Sequence, residues 1–143
     1  MDAAELKART RAFAMRVIRL CGALPKTMAA DVLGRQLLRA ATSVGANYRA
    51  ACRARSRSEF VSKMAIVEEE ADECVYWLEL IAESGLVKMS LLRLLLSESD
   101  ELTAIASASR KTAKAAIAAN PAPMATHRRS SNRQSTIDNR QSP

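Results

Sequence analysis

Phe60, Met64, Val67, Ala71, Cys74, Leu78 and Ile81 follow one another in alternating steps of four and three residues. No other feature of the chain narrows its fold so far. A helix turns about 100° per residue, so these side chains form one stripe that drifts slowly around the axis. Kept over three heptads, such a stripe is best buried by neighbouring helices lying nearly parallel to it, as in a four-helix bundle. The run carries its own start and stop signals. Ser56-Arg57-Ser58-Glu59 has the S-x-x-E spacing of a capping box, in which the hydroxyl accepts from a first-turn amide and the carboxylate reaches back. Gly85 follows the last seam residue and is free to take the left-handed conformation that closes helices.

The same periodicity predicts three further helices around this one, which spans about 57–84. The first covers 4–21, with Leu6, Phe13, Val17 and Leu20 on one face and the breakers Gly22 and Pro25 after it. The second covers 31–53, aligning Leu33, Leu37, Ala40, Val44, Tyr48 and Ala51. The fourth covers 91–119 through Leu91, Leu95, Leu102 and Ile105, and stops at Asn120-Pro121. Composition agrees: with 4 Gly, 4 Pro and 3% aromatic residues in 143, little disfavours helix. The expected fold is therefore all-α, an antiparallel up-down bundle over residues 1–120, large enough to bury a core without staples.

Beyond it, residues 121–143 have almost no large apolar side chains and repeat Asn-Arg-Gln-Ser at 132–135 and 139–142. Such a segment cannot offset the entropy of ordering, so it reads as a disordered basic tail. The three cysteines, Cys21, Cys52 and Cys74, are widely spaced and form no C-x-x-C pair. Free thiols in a reducing cytosol are expected, with Cys74 in the core. The first 25 residues lack the apolar stretch of a signal peptide, and Leu91–Leu96 is far too short to span a bilayer. A soluble, cytoplasmic protein without membrane contact follows from that reading.

Charge is sharply partitioned. The net +7 comprises +9 over residues 2–57, −7 over 58–85, +2 over 86–120 and +3 in the tail. On the second helix, Arg35, Arg39, Arg49 and Arg53 fall in a narrow arc opposite the apolar face, and Arg55 and Arg57 carry the patch around the turn. Six arginines against one acid, Glu59, within residues 35–59 make a candidate nucleic-acid-binding surface, since clustered Arg gains affinity by releasing phosphate counterions. Aromatic residues for base stacking are missing from the stripe, because Tyr48 belongs to the core side. Any binding should therefore track backbone and shape more than base sequence. An ordinary solvated face, paired with the acids of the third helix, is the competing reading of the same arginines.

Catalytic chemistry finds no foothold. Glu68, Glu69, Glu70, Asp72 and Glu73 raise the di-iron question, but that site needs Glu-x-x-His pairs, and the one histidine, His127, lies in the tail. These acids flank the seam and more plausibly complement arginines of helix two, in the same subunit or a neighbour. Ser62 beside Lys63 is an exposed-helix coincidence rather than a nucleophile and base. Neither G-x-x-x-x-G-K-[ST] nor G-x-G-x-x-G occurs. The expectation is no enzyme, no metal and no cofactor. Asn47, at the edge of the core face, is expected to make a structural hydrogen bond.

Gln36-Leu37-Leu38-Arg39-Ala40-Ala41-Thr42-Ser43-Val44-Gly45-Ala46-Asn47-Tyr48-Arg49, followed by Cys52-Arg53-Ala54-Arg55-Ser56 and Glu59-Phe60, resembles the four helix bundle protein family. Its founding members are encoded in intervening sequences of bacterial 23S rRNA genes. Glu69-Glu70-Ala71-Asp72-Glu73 with Tyr76-Trp77-Leu78-Glu79-Leu80 is similar to that family's third helix, and the likeness runs over about residues 10–115. It implies a left-handed up-down bundle that assembles as a homopentamer. It also implies kinship with the accessory protein of diversity-generating retroelements, which pairs with a reverse transcriptase and binds nucleic acid through a basic surface. Ala50 departs from the pattern, which usually has Glu after Asn-Tyr-Arg; the loss makes the stripe more basic. The leading expectation is a non-enzymatic homo-oligomer whose second helix contacts RNA or DNA, as an accessory to another enzyme such as a reverse transcriptase. A protein-interaction module without a nucleic-acid role is the alternative.

Overall fold

A computed structural model of the chain describes residues 1–121; the expected tail, but for Pro121, lies outside the described residues. Four helices follow in order: α1 (Ala3–Ala23), α2 (Met28–Cys52), α3 (Arg57–Glu83) and α4 (Met89–Ala119). No strand occurs among the described residues. The all-α fold is as expected, with small shifts at the ends.

Those shifts have local causes. α1 starts on a capping box missed in the sequence: Asp2 accepts from the Glu5 amide at 2.8 Å while Glu5 accepts from the Asp2 amide at 2.8 Å. It then runs through Gly22 and ends at Ala23, two residues before Pro25. α2 begins three residues before the expected Asp31, because Thr27 caps it by accepting from the Ala30 amide at 3.2 Å. α3 starts at the predicted cap, Ser56 accepting from the Glu59 amide at 3.1 Å. The Glu59 carboxylate reaches one residue further back than expected, to the Arg55 amide at 2.8 Å. Gly85 takes φ 70°, the one positive φ among the described residues. Lys88 precedes α4 and offers no side-chain cap.

Each helix packs against its sequence neighbour, α1 closes lightly on α4, and the backbones of the diagonal pairs stay apart while their side chains share one core. The directions are antiparallel between α1 and α2. Cys21 Sγ lies 3.4 Å from the Gly34 carbonyl, and Thr10 packs on Gly45, so one index falls as the other rises. That contact is tight: a Cβ on Gly45 would stand 3.3 Å from Thr10 Oγ1. Small residues at this seam thus set the spacing of the two helices.

The core holds the predicted α3 seam from Met64 to Ile81, with Phe60 half-buried at its edge. Leu37, Ala40, Val44, Tyr48 and Ala51 of α2 and Leu6, Phe13 and Val17 of α1 meet it. Leu33, Leu20 and Ile105 are only half-buried. On α4 the expected seam is corrected. Leu91 is 66% exposed, and the buried line is Leu92, Leu95, Ser99, Leu102 and Ala106. Two hydroxyls, those of Thr10 and Ser99, are buried and bond the carbonyls of Lys7 and Leu95 at 3.1 and 2.9 Å, so neither is left unsatisfied. The α1–α4 seam is held by charge: Arg9 Nε lies 2.6 Å from Glu98 Oε1, and its Nη2 also reaches Glu101.

Candidate nucleic-acid interface

Burying Leu37, Val44 and Tyr48 turns the opposite side of α2 outward, which is why Arg35, Arg39, Arg49 and Arg53 are all exposed, with Arg55 and Arg57 beyond the turn. The structure divides these six. Arg49, Arg53 and Arg55 line one open groove of about 720 Å³ with Glu59 and Lys63. Arg57 and Arg55 line an adjoining one beside Phe60. None of the guanidinium groups of Arg49, Arg53, Arg55 and Arg57 has a carboxylate within 4.0 Å among the described residues.

Arg35 and Arg39 stand apart. Arg35 sits four residues from Asp31 and pairs with it at 3.2 Å on the same helix face, a contact worth only a few tenths of a kcal/mol. Arg39 crosses to α3, with Nη2 2.6 Å from Glu73 and Nη1 3.6 Å from Glu70. Glu73 also accepts from Trp77 Nε1 at 3.0 Å. Burial pushes the Glu70 carboxyl above its usual range against the pull of Arg39, and its Oε2 is buried without a hydrogen-bond partner. The expected pairing of helix-two arginines with helix-three acids is thus formed within the subunit by Arg39. Glu68 turns the other way, 2.6 Å from Arg110 on α4.

Two basic residues missed in the sequence join the free arginines. Lys7 and Arg11 of α1 line a second groove of about 490 Å³ with Thr10, Gly45 and Arg49. Arg49 and Ala46 belong to both grooves, so the basic surface runs continuously from α1 over α2 to the start of α3. The signal was present: Lys7 and Arg11 stand one helical turn apart, off the Leu6–Phe13–Val17 face. What was absent was the knowledge that α1 lies beside the arginine face of α2.

Other polar groups here are structural. Asn47 Nδ2 donates to the Ser43 carbonyl at 2.9 Å, a bond within its own helix rather than across to another. Tyr48, next to Cys52, has its hydroxyl pushed up to about 12, chiefly by burial. Cys74 is buried in the core as expected, its thiol pushed up to about 12 by the same cause. Among the described residues no three His, Cys, Asp or Glu side chains converge as a metal site would require, and no helix is long and apolar enough to cross a membrane.

A bundle of four antiparallel neighbours with a basic, concave α1–α2 face is a recognisable class of molecule. Residues 4–108 match the 23S rRNA-intervening sequence protein family, and the chain belongs to that family. It is also similar to a crystal structure of a protein of unknown function from the S23 ribosomal protein family of Bacteroides thetaiotaomicron. The two share 32% identity with a TM-score of 0.72, over 78% of this chain and 99% of that one. No curated protein matches the chain.

Proposed function

We propose that this protein is a non-enzymatic, self-assembling bundle that holds RNA or DNA by its phosphate backbone, through the arginine stripe of α2, and serves as an accessory to another macromolecule such as a reverse transcriptase. One observation carries the reading. Arg49, Arg53, Arg55 and Lys63 converge on a single groove whose one acid is Glu59, and among the described residues no carboxylate comes within 4.0 Å of the three guanidinium groups. Arginines needed only for solubility or internal pairing would be dispersed or neutralised, as Arg35 and Arg39 are. Convergent free cations instead concentrate positive potential and release counterions when a polyanion docks. The family description, which refers to 23S rRNA, and the neighbour's S23 ribosomal protein family are in keeping with a nucleic-acid partner.

The experiment is a binding titration on generic RNA and DNA at low salt, with the intact chain and a variant carrying Arg49→Gln, Arg53→Gln and Arg55→Gln. The intact chain should bind both polymers and the variant should lose most of that affinity. No detectable binding at low salt, or full affinity in the variant, returns the stripe to a solvated face. Light scattering on the same samples gives the subunit count, expected to be five from the family likeness.

A further inference from the structure

The stripe on α2 is half of a wider pattern. α1 runs antiparallel beside it and carries Lys7, Arg11, Arg16 and Arg19, none with a carboxylate within 4.0 Å among the described residues. Lys7 and Arg11 line the α1–α2 groove opposite Arg49, while Arg16 and Arg19 line a separate groove with Arg11, Arg16 acting on Glu98 at the α4 side. By the Cys21–Gly34 and Thr10–Gly45 pairings, Lys7 stands level with Arg49 and Arg19 level with Arg35. Two short rows of unpaired cations therefore face each other across the groove, Lys7 and Arg11 on α1 and Arg49 and Arg53 on α2, each pair one helical turn, about 6 Å, along its axis.

We infer that this face takes double-stranded rather than single-stranded nucleic acid, with one row of cations to each strand; the inference rests on the backbone-binding reading above. Packed helices lie about 8–10 Å apart. The rows are thus separated by about the width of a duplex groove, roughly 6–12 Å between its phosphate walls. One extended strand can satisfy only one row and leaves the other as concentrated positive charge. The floor between the rows consists of Thr10, Ala14, Thr42, Gly45 and Ala46. No aromatic residue lines either of the two grooves that carry the rows. Single strands are usually held by stacking bases on aromatic faces; the nearest ones here, Tyr48 and Phe60, lie in the adjoining Arg55–Arg57 groove and not between the rows. Duplexes held by shape need phosphate contacts alone.

The test measures a short RNA duplex, the matching DNA duplex and each separated strand, with the intact chain and with two double variants. One variant is Lys7→Gln with Arg11→Gln; the other is Arg49→Gln with Arg53→Gln. These side chains are exposed and unpaired, so thermal melts should confirm that both variants fold. The intact chain should prefer duplex to strand by at least about tenfold in one sugar or both, because each row adds phosphate contacts. The α1 variant should lose duplex affinity by a similar factor while its weak strand affinity barely moves. Strands bound as tightly as duplex in both sugars, or duplex affinity unchanged in the α1 variant, overturns the two-row assignment. If the intact chain binds no probe, it is the underlying backbone-binding reading that has failed.

Discussion

Arg39 differs from the other arginines of the stripe because of what it leaves behind when removed. It faces Glu73 at 2.6 Å and Glu70 at 3.6 Å, and Glu70 already has one buried oxygen without a partner. A half-buried carboxylate stripped of its cation bears the cost of desolvation alone. Arg39→Gln should therefore lower the urea midpoint of unfolding and leave nucleic-acid affinity nearly unchanged. Arg49→Gln should lower affinity and leave the midpoint in place. Equal midpoints for the two variants would show that the Arg39 contacts contribute nothing to the fold.

Glu98 and Glu68 make the same kind of statement through pH. The Arg9 guanidinium holds the Glu98 carboxyl below its ordinary 4.5, and Arg110 does the same for Glu68. Both groups bind a proton less readily folded than unfolded, so the stability they add is present above the ordinary value and lost as pH falls through the depressed one. Glu70, shifted upward by burial, works in the opposite sense and offsets part of the loss. The melting temperature should fall as pH drops below 4.5, and Glu98→Gln should make that fall shallower. A melting curve indifferent to acid in both proteins would remove these pairs from the account.

At the scale of the helices, α3 is the best-specified element and the natural place to test local signals. Ser56→Ala removes the acceptor at the start of the helix and should cost about 1 kcal/mol in chemical denaturation. A loss of under a few tenths would mean that packing alone sets the helix start. α3 was legible because seam, cap and terminal glycine all agree. α4 was legible in extent but not in register. Its leucine run admits both Leu91–Leu95 and Leu92–Leu95 spacings, and the true line continues through Ser99 and Ala106, which do not look like core residues. Thr10 on α1 hid for the same reason. The start of α2 was read late because Thr27 is followed by residues that do not mark a face. Most of the stripe could be read because angular position on one helix follows from counting. Which arginines are paired could not be, since that depends on the relative heights of α2 and α3. The α1 half of the basic surface depended in turn on which helix lies beside α2.

For the whole molecule, the essential property is a separation of charge. The α1–α2 face is basic, whereas Glu69, Asp72, Glu79 and Glu83 of α3 are exposed in the acidic stretch. A chain with net charge +7 would attract any polyanion weakly. The separation gives that attraction a place, and the Arg49–Arg53–Arg55 groove gives it a geometry. The most direct measurement is the slope of log affinity against log salt for the intact chain on duplex DNA. The four free arginines with Lys7 and Arg11, engaging six phosphates, predict a slope of about −5.4, and each Arg→Gln change at positions 49, 53 or 55 should flatten it by about 0.9. Affinity independent of salt, or a slope the substitutions leave unchanged, contradicts a phosphate-binding stripe.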